Sequence, residues 1–334
     1  MIIESKAPTR VDLAGSTVDV GITYLFYNDP VTVNFAIDQF ASVKIKTRKD
    51  KKINIISKDR NIEIDFEDIT KIHNNHPLSL ITRSIEFYSP RIGFDMIVDC
   101  MAPAGAGIAG SSALNVALQG ALNELTKKGY TKEQLLWLGK NLETIEIRVP
   151  TGPQDYFSAM YGGVNIVHLE KDKVHTEQLN LDYKELEDRF VLLYSGKPRM
   201  SGINNWDAVR NVIDDKDNVP KKFQAIVDNA RIMEKVLKNK EIDKIGEVIA
   251  DEWEKRKKLS INFSSEKIEG LLRIAKENGA ISGRACGAGG GGCVVIFVNK
   301  GKKQDVIKAL EKECQIIDFK IAKEGLVVNL KDGL

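Results

Sequence analysis

Apolar and polar positions follow two different periods along this chain. Val43 and Ile45 alternate with lysines, and Ile53, Ile55, Ile62 and Ile64 alternate with polar residues on either side of Lys58-Asp59-Arg60-Asn61. A period of two marks a strand with one buried face. These segments predict strands, the second pair a hairpin turning near residue 60. Ile92 to Val98 reads the same way. Elsewhere the spacing is three and four: Leu114, Leu118, Leu122 and Leu125 predict one amphipathic helix, and Leu135, Leu138, Leu142 and Ile145 another. Thr131 and Gln134 offer the second helix a capping box, and Pro150 ends it. Shorter helices are predicted over 78–88 and 155–161, the latter followed by Gly162-Gly163 and a strand over 164–168.

The pattern turns polar around 170–182, which places a domain boundary there: residues 1–180, then 181–334. Val191 to Tyr194 predicts a buried strand. Residues 200–278 are mostly helical, with stripes at Phe223/Ile226/Val227/Ala230/Met233/Leu237 and Ile242/Ile245/Val248/Ile249. A strand over 294–298, a helix carrying Val306, Ile307 and Leu310, and a final strand pair between 316 and 328 complete the second domain. The fold class is α+β.

Composition narrows the function classes. The chain has 334 residues, 43% of them hydrophobic, enough for one large or two medium cores. Lys and Arg number 49 against 47 Asp and Glu, so no charge footprint for nucleic acid or a membrane surface is present. The chain opens Met1-Ile-Ile-Glu-Ser-Lys without a signal peptide and has no run long enough for a membrane span, which predicts a cytoplasmic protein. Cys100, Cys286, Cys293 and Cys314 lack zinc spacing and sit in or beside apolar runs, which predicts buried thiols in a reducing compartment. His73 and His76 could ligate a metal, but no further clustered ligand accompanies them, and a solvated loop is the simpler reading.

Four segments carry candidate chemistry. Pro103-Ala-Gly-Ala-Gly-Ile-Ala-Gly-Ser-Ser-Ala113 joins a predicted strand to a predicted helix. Glycines permit close approach of a ligand, and the helix start offers free N–H groups and a positive dipole end, which together make a phosphate cradle. The alternative is a tight connection with Ser111 as N-cap. No Gly-Lys-Ser/Thr follows, and the Gly-x-Gly-x-x-Gly spacing is absent, so neither a Walker A nor a dinucleotide loop is supported. In Ala7-Pro-Thr-Arg-Val-Asp-Leu-Ala-Gly-Ser-Thr-Val-Asp19, an arginine and carboxylates flank a small-residue turn. Gly152-Pro-Gln-Asp155 presents Asp155 from a helix start, where an N-cap is the plain alternative. Ser282-Gly-Arg-Ala-Cys-Gly-Ala-Gly-Gly-Gly-Gly-Cys293 holds four successive glycines, costly in backbone entropy unless something approaches closely.

The segments starting at residues 7, 103 and 282 resemble, in order and position, the three signature motifs of the GHMP kinases, the superfamily of galactokinase, homoserine kinase, mevalonate kinase and phosphomevalonate kinase. The resemblance spans nearly the whole chain. Gly152-Pro-Gln-Asp155 with Ala159-Met-Tyr-Gly-Gly163 is similar to the sugar-kinase branch, above all to the D-glycero-D-manno-heptose 7-phosphate kinases. It implies a two-domain fold with the active site in the interdomain cleft, and ATP- and Mg²⁺-dependent phosphorylation of a sugar or sugar phosphate at the anomeric hydroxyl. By the same resemblance Asp155 and Arg10 are catalytic. Pro103, Gly105, Ala106, Gly107, Ala109, Gly110, Ser111 and Ser112 hold the nucleotide. Glu143 and Ser111 bind the metal, with Ser112 open as the alternative serine. Asp19, Gly152, Arg199, Gly287, Ala288, Gly289 and Gly290 edge the substrate, and Gly291 and Gly292 complete the third motif.

The chain departs from the family pattern at several points. Gly107-Ile-Ala-Gly-Ser-Ser112 stands where Gly-Leu-Gly-Ser-Ser is usual, so Ala109 replaces a glycine and Gly110 a serine. Ser16 stands where galactokinases carry a sugar-binding glutamate, which argues against galactose. Thr17-Val18 replaces the Gly-Thr of heptose kinases, and Arg284 a lysine expected near phosphates. Lys197, Arg199 and Ser201 could form a pocket for a second phosphate; a solvated turn or an ATP contact is the alternative. The implied partner is a small molecule, not nucleic acid or a membrane, with homodimer formation open. Competing readings are a catalytically silent nucleotide- and sugar-binding regulator, and a kinase or decarboxylase of an isoprenoid precursor.

Overall fold

The computed structural model describes residues 1–198, 202–259, 263–287 and 289–331; Arg199, Ser201 and Ala288 lie outside the described residues. The chain begins with two long strands, β1 (Ile2–Ala14) and β2 (Val31–Thr47), antiparallel along most of their length. The predicted hairpin is β3 (Ile53–Ser57) and β4 (Ile62–Phe66). Then come α1 (Ser79–Tyr88), β5 (Phe94–Cys100), α2 (Gly110–Thr126), α3 (Lys132–Ile147), α4 (Gln154–Tyr161), β6 (Val164–Leu169) and β7 (Val174–Leu179). Thr131 and Gln134 form the expected capping box at the start of α3. Both β1 and most of β2 went unread in the sequence. Val31, Val33, Phe35 and Ile37 do alternate there with Thr32, Asn34 and Ala36, and both faces of the segment are buried, so a period-two signal was present and passed over.

These strands form one eight-stranded mixed sheet in the order β12-β1-β2-β5-β3-β4, with β6 and β7 extending from the first half of β2. The eighth strand, β12 (Val327–Lys331), comes from the far end of the chain and pairs antiparallel with β1. The second sheet is antiparallel, β11-β8-β10-β9, from β8 (Phe190–Tyr194), β9 (Ala280–Ala285), β10 (Cys293–Val298) and β11 (Gln315–Ile317). The final two strands are therefore not a pair, as expected from sequence; each joins a different sheet. The remaining helices are α5 (Tyr183–Arg189), α6 (Gly202–Ile213), α7 (Val219–Lys238), α8 (Ile245–Lys257), α9 (Glu266–Glu277) and α10 (Lys303–Leu310). No helix among the described residues is long and apolar enough to cross a membrane.

One core packs the first sheet against the early helices; Ile45, Met96, Ala117, Leu122 and Leu136 are among its buried members. A second core joins the sheets. Phe35 of β2 meets Phe190 of β8 at 5.3 Å between ring centroids, and Phe190 meets Phe297 of β10 at 5.0 Å. Burying such rings contributes about 2–3 kcal/mol each, so the sheets hold a fixed relation, and the groups that face each other between them are held in register.

Candidate active site

A cleft of about 470 Å³ opens between the 101–110 loop, the starts of α2 and α4, and the turn that follows β1. Pro103, Gly105, Ala106, Gly107, Ala109, Gly110, Ser111 and Ser112 line one part of it. The N-cap of α2 is Ala109, left-handed at φ 63°, and no side chain caps the helix. The first intrahelical bond runs from Ala113 N to Ala109 O at 3.0 Å, so the N–H groups of 110–112 precede it and carry the positive end of the helix dipole. Ser111 is therefore not the cap; it lies within the first turn.

The loop is held by its carbonyls. Ala106 O accepts from Cys293 N at 2.6 Å, Gly107 O from Arg10 Nη1 at 2.9 Å, and Ile108 O from Arg10 N at 3.0 Å. The third glycine motif thus touches the loop directly. A Cβ on Gly292 would stand 2.5 Å from Ala106 O, and its φ is +75°, so only glycine fits there. Gly290 N in turn donates to Phe263 O at 2.8 Å. Gly287 lines the cleft, whereas Gly289 and Gly290 do not.

Arg10 ties the loop to α4. Its Nε and Nη2 lie 2.8 and 2.6 Å from Asp155 Oδ1. Burial alone would lower the Arg10 pKa, but the charges of Asp155 and Asp12 outweigh it and raise it, so the guanidinium stays cationic. The Asp155 side chain is 24% exposed and opens to the cleft. It is the second residue of α4, whose N-cap is Pro153 with no side-chain cap bond. The capping alternative for Asp155 therefore does not hold; its carboxylate is spent on Arg10.

Asp19 is buried at the other end of the cleft. Gln154 donates to it twice, from N at 3.0 Å and from Nε2 at 3.2 Å. A Cβ at Gly152 would collide with the Asp19 carboxylate, which accounts for glycine in the Gly152-Pro turn. Burial, and next the charge of Asp155, push the Asp19 carboxyl up to about 7. Glu143 of α3 is also buried. Its Oε2 accepts from Tyr156 OH at 2.7 Å and Ser112 Oγ at 3.2 Å. Burial raises its pKa, which the Tyr156 and Ser111 hydrogen bonds oppose. A buried carboxylate with serine hydroxyls beside it, and no salt bridge among the described residues, is an all-oxygen set of the kind Mg²⁺ takes. Ser111 is exposed to the cleft and Ser112 buried against Glu143.

Behind the cleft lies a cluster of charges that sequence reading missed. Arg284 pairs with Asp12 and with Glu252 of α8, all three fully buried. Asp12 also accepts from Gly287 N at 2.9 Å and Ser16 Oγ at 2.5 Å. Glu252 accepts from Gly15 N at 3.1 Å, and Arg256 donates to Gly287 O at 2.6 Å and Ser16 O at 3.3 Å. Arg284 therefore braces the first and third motifs and is not a surface cation facing phosphates. A signal for Glu252 and Arg256 did exist. They continue the stripe Ile245/Val248/Ile249 at helical spacing, so two charges stand on a buried face. Lys197 is exposed and does not line the cleft; its carbonyl accepts from Gly292 N at 2.8 Å. His76 accepts from Leu78 N at 3.1 Å as part of a loop, and no metal cluster among the described residues includes His73 or His76.

Comparison with known proteins matches this chain to two family descriptions, "GHMP kinases N terminal domain" over residues 79–163 and "GHMP kinases C terminal" over residues 233–316. It is 27% identical to a D-glycero-alpha-D-manno-heptose 7-phosphate kinase of Campylobacter jejuni, over 97% of this chain and 98% of that one. It is 26% identical to a galactokinase of Thermosipho africanus, over 98% of each. The crystal structure of a D-glycero-D-manno-heptose 1-phosphate kinase from Bacteroides thetaiotaomicron superimposes with a TM-score of 0.80 at 21% identity, covering 99% of this chain and all of that one.

Proposed function

The chain belongs to the GHMP kinases and is an ATP-dependent sugar or sugar-phosphate kinase; from that premise we propose that it phosphorylates the anomeric hydroxyl of D-glycero-D-manno-heptose 7-phosphate. The observation that carries the reading is the Arg10–Asp155 pair, held between the glycine loop and the acid-lined end of one cleft. The N–H groups at the start of α2 cradle the ATP phosphates. Asp155 Oδ accepts the proton of the acceptor hydroxyl as its oxygen attacks the γ-phosphorus. The bond from that phosphorus to the β-phosphate bridging oxygen breaks, and ADP leaves. Arg10 holds the Asp155 carboxylate in place through two contacts to Oδ1. Asp19 accepts further sugar hydroxyls, with Gly152 leaving it room. Glu143 and Ser111, or Ser112, would hold Mg²⁺, which would supply positive charge to offset that of the ATP phosphates.

The heptose 7-phosphate assignment draws on the Campylobacter relative and on the small residue Ser16 in the first motif. The distal phosphate is assigned to Arg199, with Lys197 nearby in sequence. ADP release is to be measured across heptose 7-phosphate, free heptose, galactose and mevalonate, with wild type and Arg199→Ala. The expected result is a preference for the phosphate ester that Arg199→Ala abolishes, with the product carrying an anomeric phosphate by ³¹P NMR. Equal use of free and phosphorylated sugar would move the substrate to an unphosphorylated sugar. Mevalonate turnover alone would move it to the isoprenoid branch. Tight ATP binding with no turnover would make the protein a regulator.

A further inference from the structure

The turn that carries Asp19 contains a residue its backbone does not favour. Val18 N donates to Gly15 O at 3.1 Å, closing a four-residue turn with Ser16 and Thr17 at its centre. Thr17 has φ +80°, while Ser16 is not among the residues with positive φ. That is the pattern of a type II turn, whose third position normally takes Gly or Asn. Among the described non-glycine residues with positive φ, Thr17 has the largest value and is the one β-branched side chain. A β-branched residue there is strained, because its Cβ substituents crowd the backbone.

Strain of this kind persists where surrounding contacts over-determine it, and it gathers at ligand sites. Thr17 meets both conditions. Arg256 Nη2 donates to its Oγ1 at 3.4 Å, and the same guanidinium holds Ser16 O and Gly287 O on either side. Thr17 lines the cleft together with Asp19, Gly152 and Gln154, and is only 7% exposed. A hydroxyl that accepts from a guanidinium still has its own proton to donate.

We propose that Thr17 reads the acceptor: its hydroxyl, oriented by Arg256, donates to a sugar oxygen, and its side chain narrows the acceptor end of the cleft. The threonine is kept at a glycine-type turn position for that contact. This rests on the sugar-kinase reading above. Ligand chemistry follows from the donor: the reading oxygen is a hydroxyl or ring oxygen of a polyhydroxylated substrate, adjacent to the hydroxyls taken by Asp19.

Three substitutions separate this role from a merely structural one. Thr17→Val keeps the β-branch and the turn strain and removes the hydroxyl. Thr17→Gly removes both strain and side chain, and Thr17→Ser keeps the hydroxyl. KM and kcat for the acceptor and for ATP are measured on each, with the melting temperature. Thr17→Val and Thr17→Gly are expected to raise acceptor KM by about 10-fold, the worth of one lost hydrogen bond. ATP KM should stay within about 2-fold, and Thr17→Ser should restore acceptor KM. Thr17→Gly is expected to melt no lower than wild type and to discriminate less between epimeric sugars. If Thr17→Val fails to fold, Thr17→Ser against Thr17→Gly carries the same comparison. Unchanged acceptor KM in the hydroxyl-free variants, with wild type active, overturns the inference alone. A wild type that turns over no sugar or sugar phosphate overturns the kinase reading and this inference with it.

Discussion

The two ends of the cleft are built from different material. The end lined by residues 103–112 is backbone: one continuous stretch whose carbonyls are tied to protein donors and whose helix start offers N–H groups. The opposite end, at Thr17 and Asp19, rests on side-chain charge that lies behind the cleft and is drawn from distant segments. Asp12 meets Arg284 across 272 residues of sequence, and Gly15 meets Glu252 across 237. A backbone cradle tolerates exchange of one small residue for another, because the binding groups are the same in every residue. A lattice of buried charges does not, because each member neutralises another and none can be removed singly. The two ends should therefore differ sharply in their response to mutation.

The largest effect is expected where the two ends meet. Asp155→Asn should lower kcat by about 10³-fold or more, the range for loss of a positioned base, while ATP affinity stays within a few-fold. ATP binding by calorimetry and turnover by ADP release check the split. Near-normal turnover in a folded variant would remove Asp155 from the chemistry.

The charge lattice should answer next, in stability. Glu252→Gln removes one of the two carboxylates, Asp12 and Glu252, that pair with Arg284 and Arg256 among the described residues. Breaking such a buried pair costs about 3–5 kcal/mol, which chemical denaturation would read as a lower midpoint at unchanged slope. A loss below about 1 kcal/mol would mean the lattice is not what fixes the Asp19 turn.

The same division explains what was legible in the sequence. The strand, loop and helix over 94–126 were readable because the three are consecutive in sequence and each carries its own local pattern. Arg10, Asp19, Glu143 and Asp155 took their roles only through resemblance to a family; the residues alone left Asp155 with an N-cap as the plain alternative. Their meeting in one cleft depends on the packing of α3 and α4 beside β1, through buried residues such as Leu136, Tyr156 and Phe157, which no local pattern encodes. Glu252 and Arg256 went unread, because a charge on the buried face of a helix looks like an imperfection until its partner is known. The last strand, Val327–Lys331, was placed with its neighbour in sequence because its true partner, β1, lies at the other end of the chain.

A pH dependence follows at the acceptor end. The Asp19 carboxyl is pushed up to about 7 by burial and by the charge of Asp155, against about 3.9 in an unfolded chain. Between those values the folded state binds the extra proton, so stability contributed by this group falls as pH rises from near 4 to near 7. Asp19→Asn should flatten that fall in melting temperature. Acceptor affinity should run the opposite way, strengthening as pH rises through about 7 and the ionised carboxylate becomes available to sugar hydroxyls. Asp155→Asn, by removing a neighbouring negative charge, should move the break to lower pH. A break unmoved in that variant would separate the two carboxylates.

The smallest effect belongs to the backbone end. Ala109 occupies a left-handed conformation at φ 63°, ψ 35°, where an alanine Cβ crowds the following carbonyl at a cost of about 1–2 kcal/mol. Ala109→Gly removes that cost but gives the unfolded chain more freedom, which returns about 0.5–1 kcal/mol. The net expectation is a gain of about 0.5–1 kcal/mol, seen as a slight rise in melting temperature. The N–H groups of 110–112 are untouched, so ATP KM should stay within about 2-fold. A several-fold rise in ATP KM would show that the methyl group itself packs against the nucleotide. The cradle would then depend on a particular side chain, as the opposite end of the cleft does.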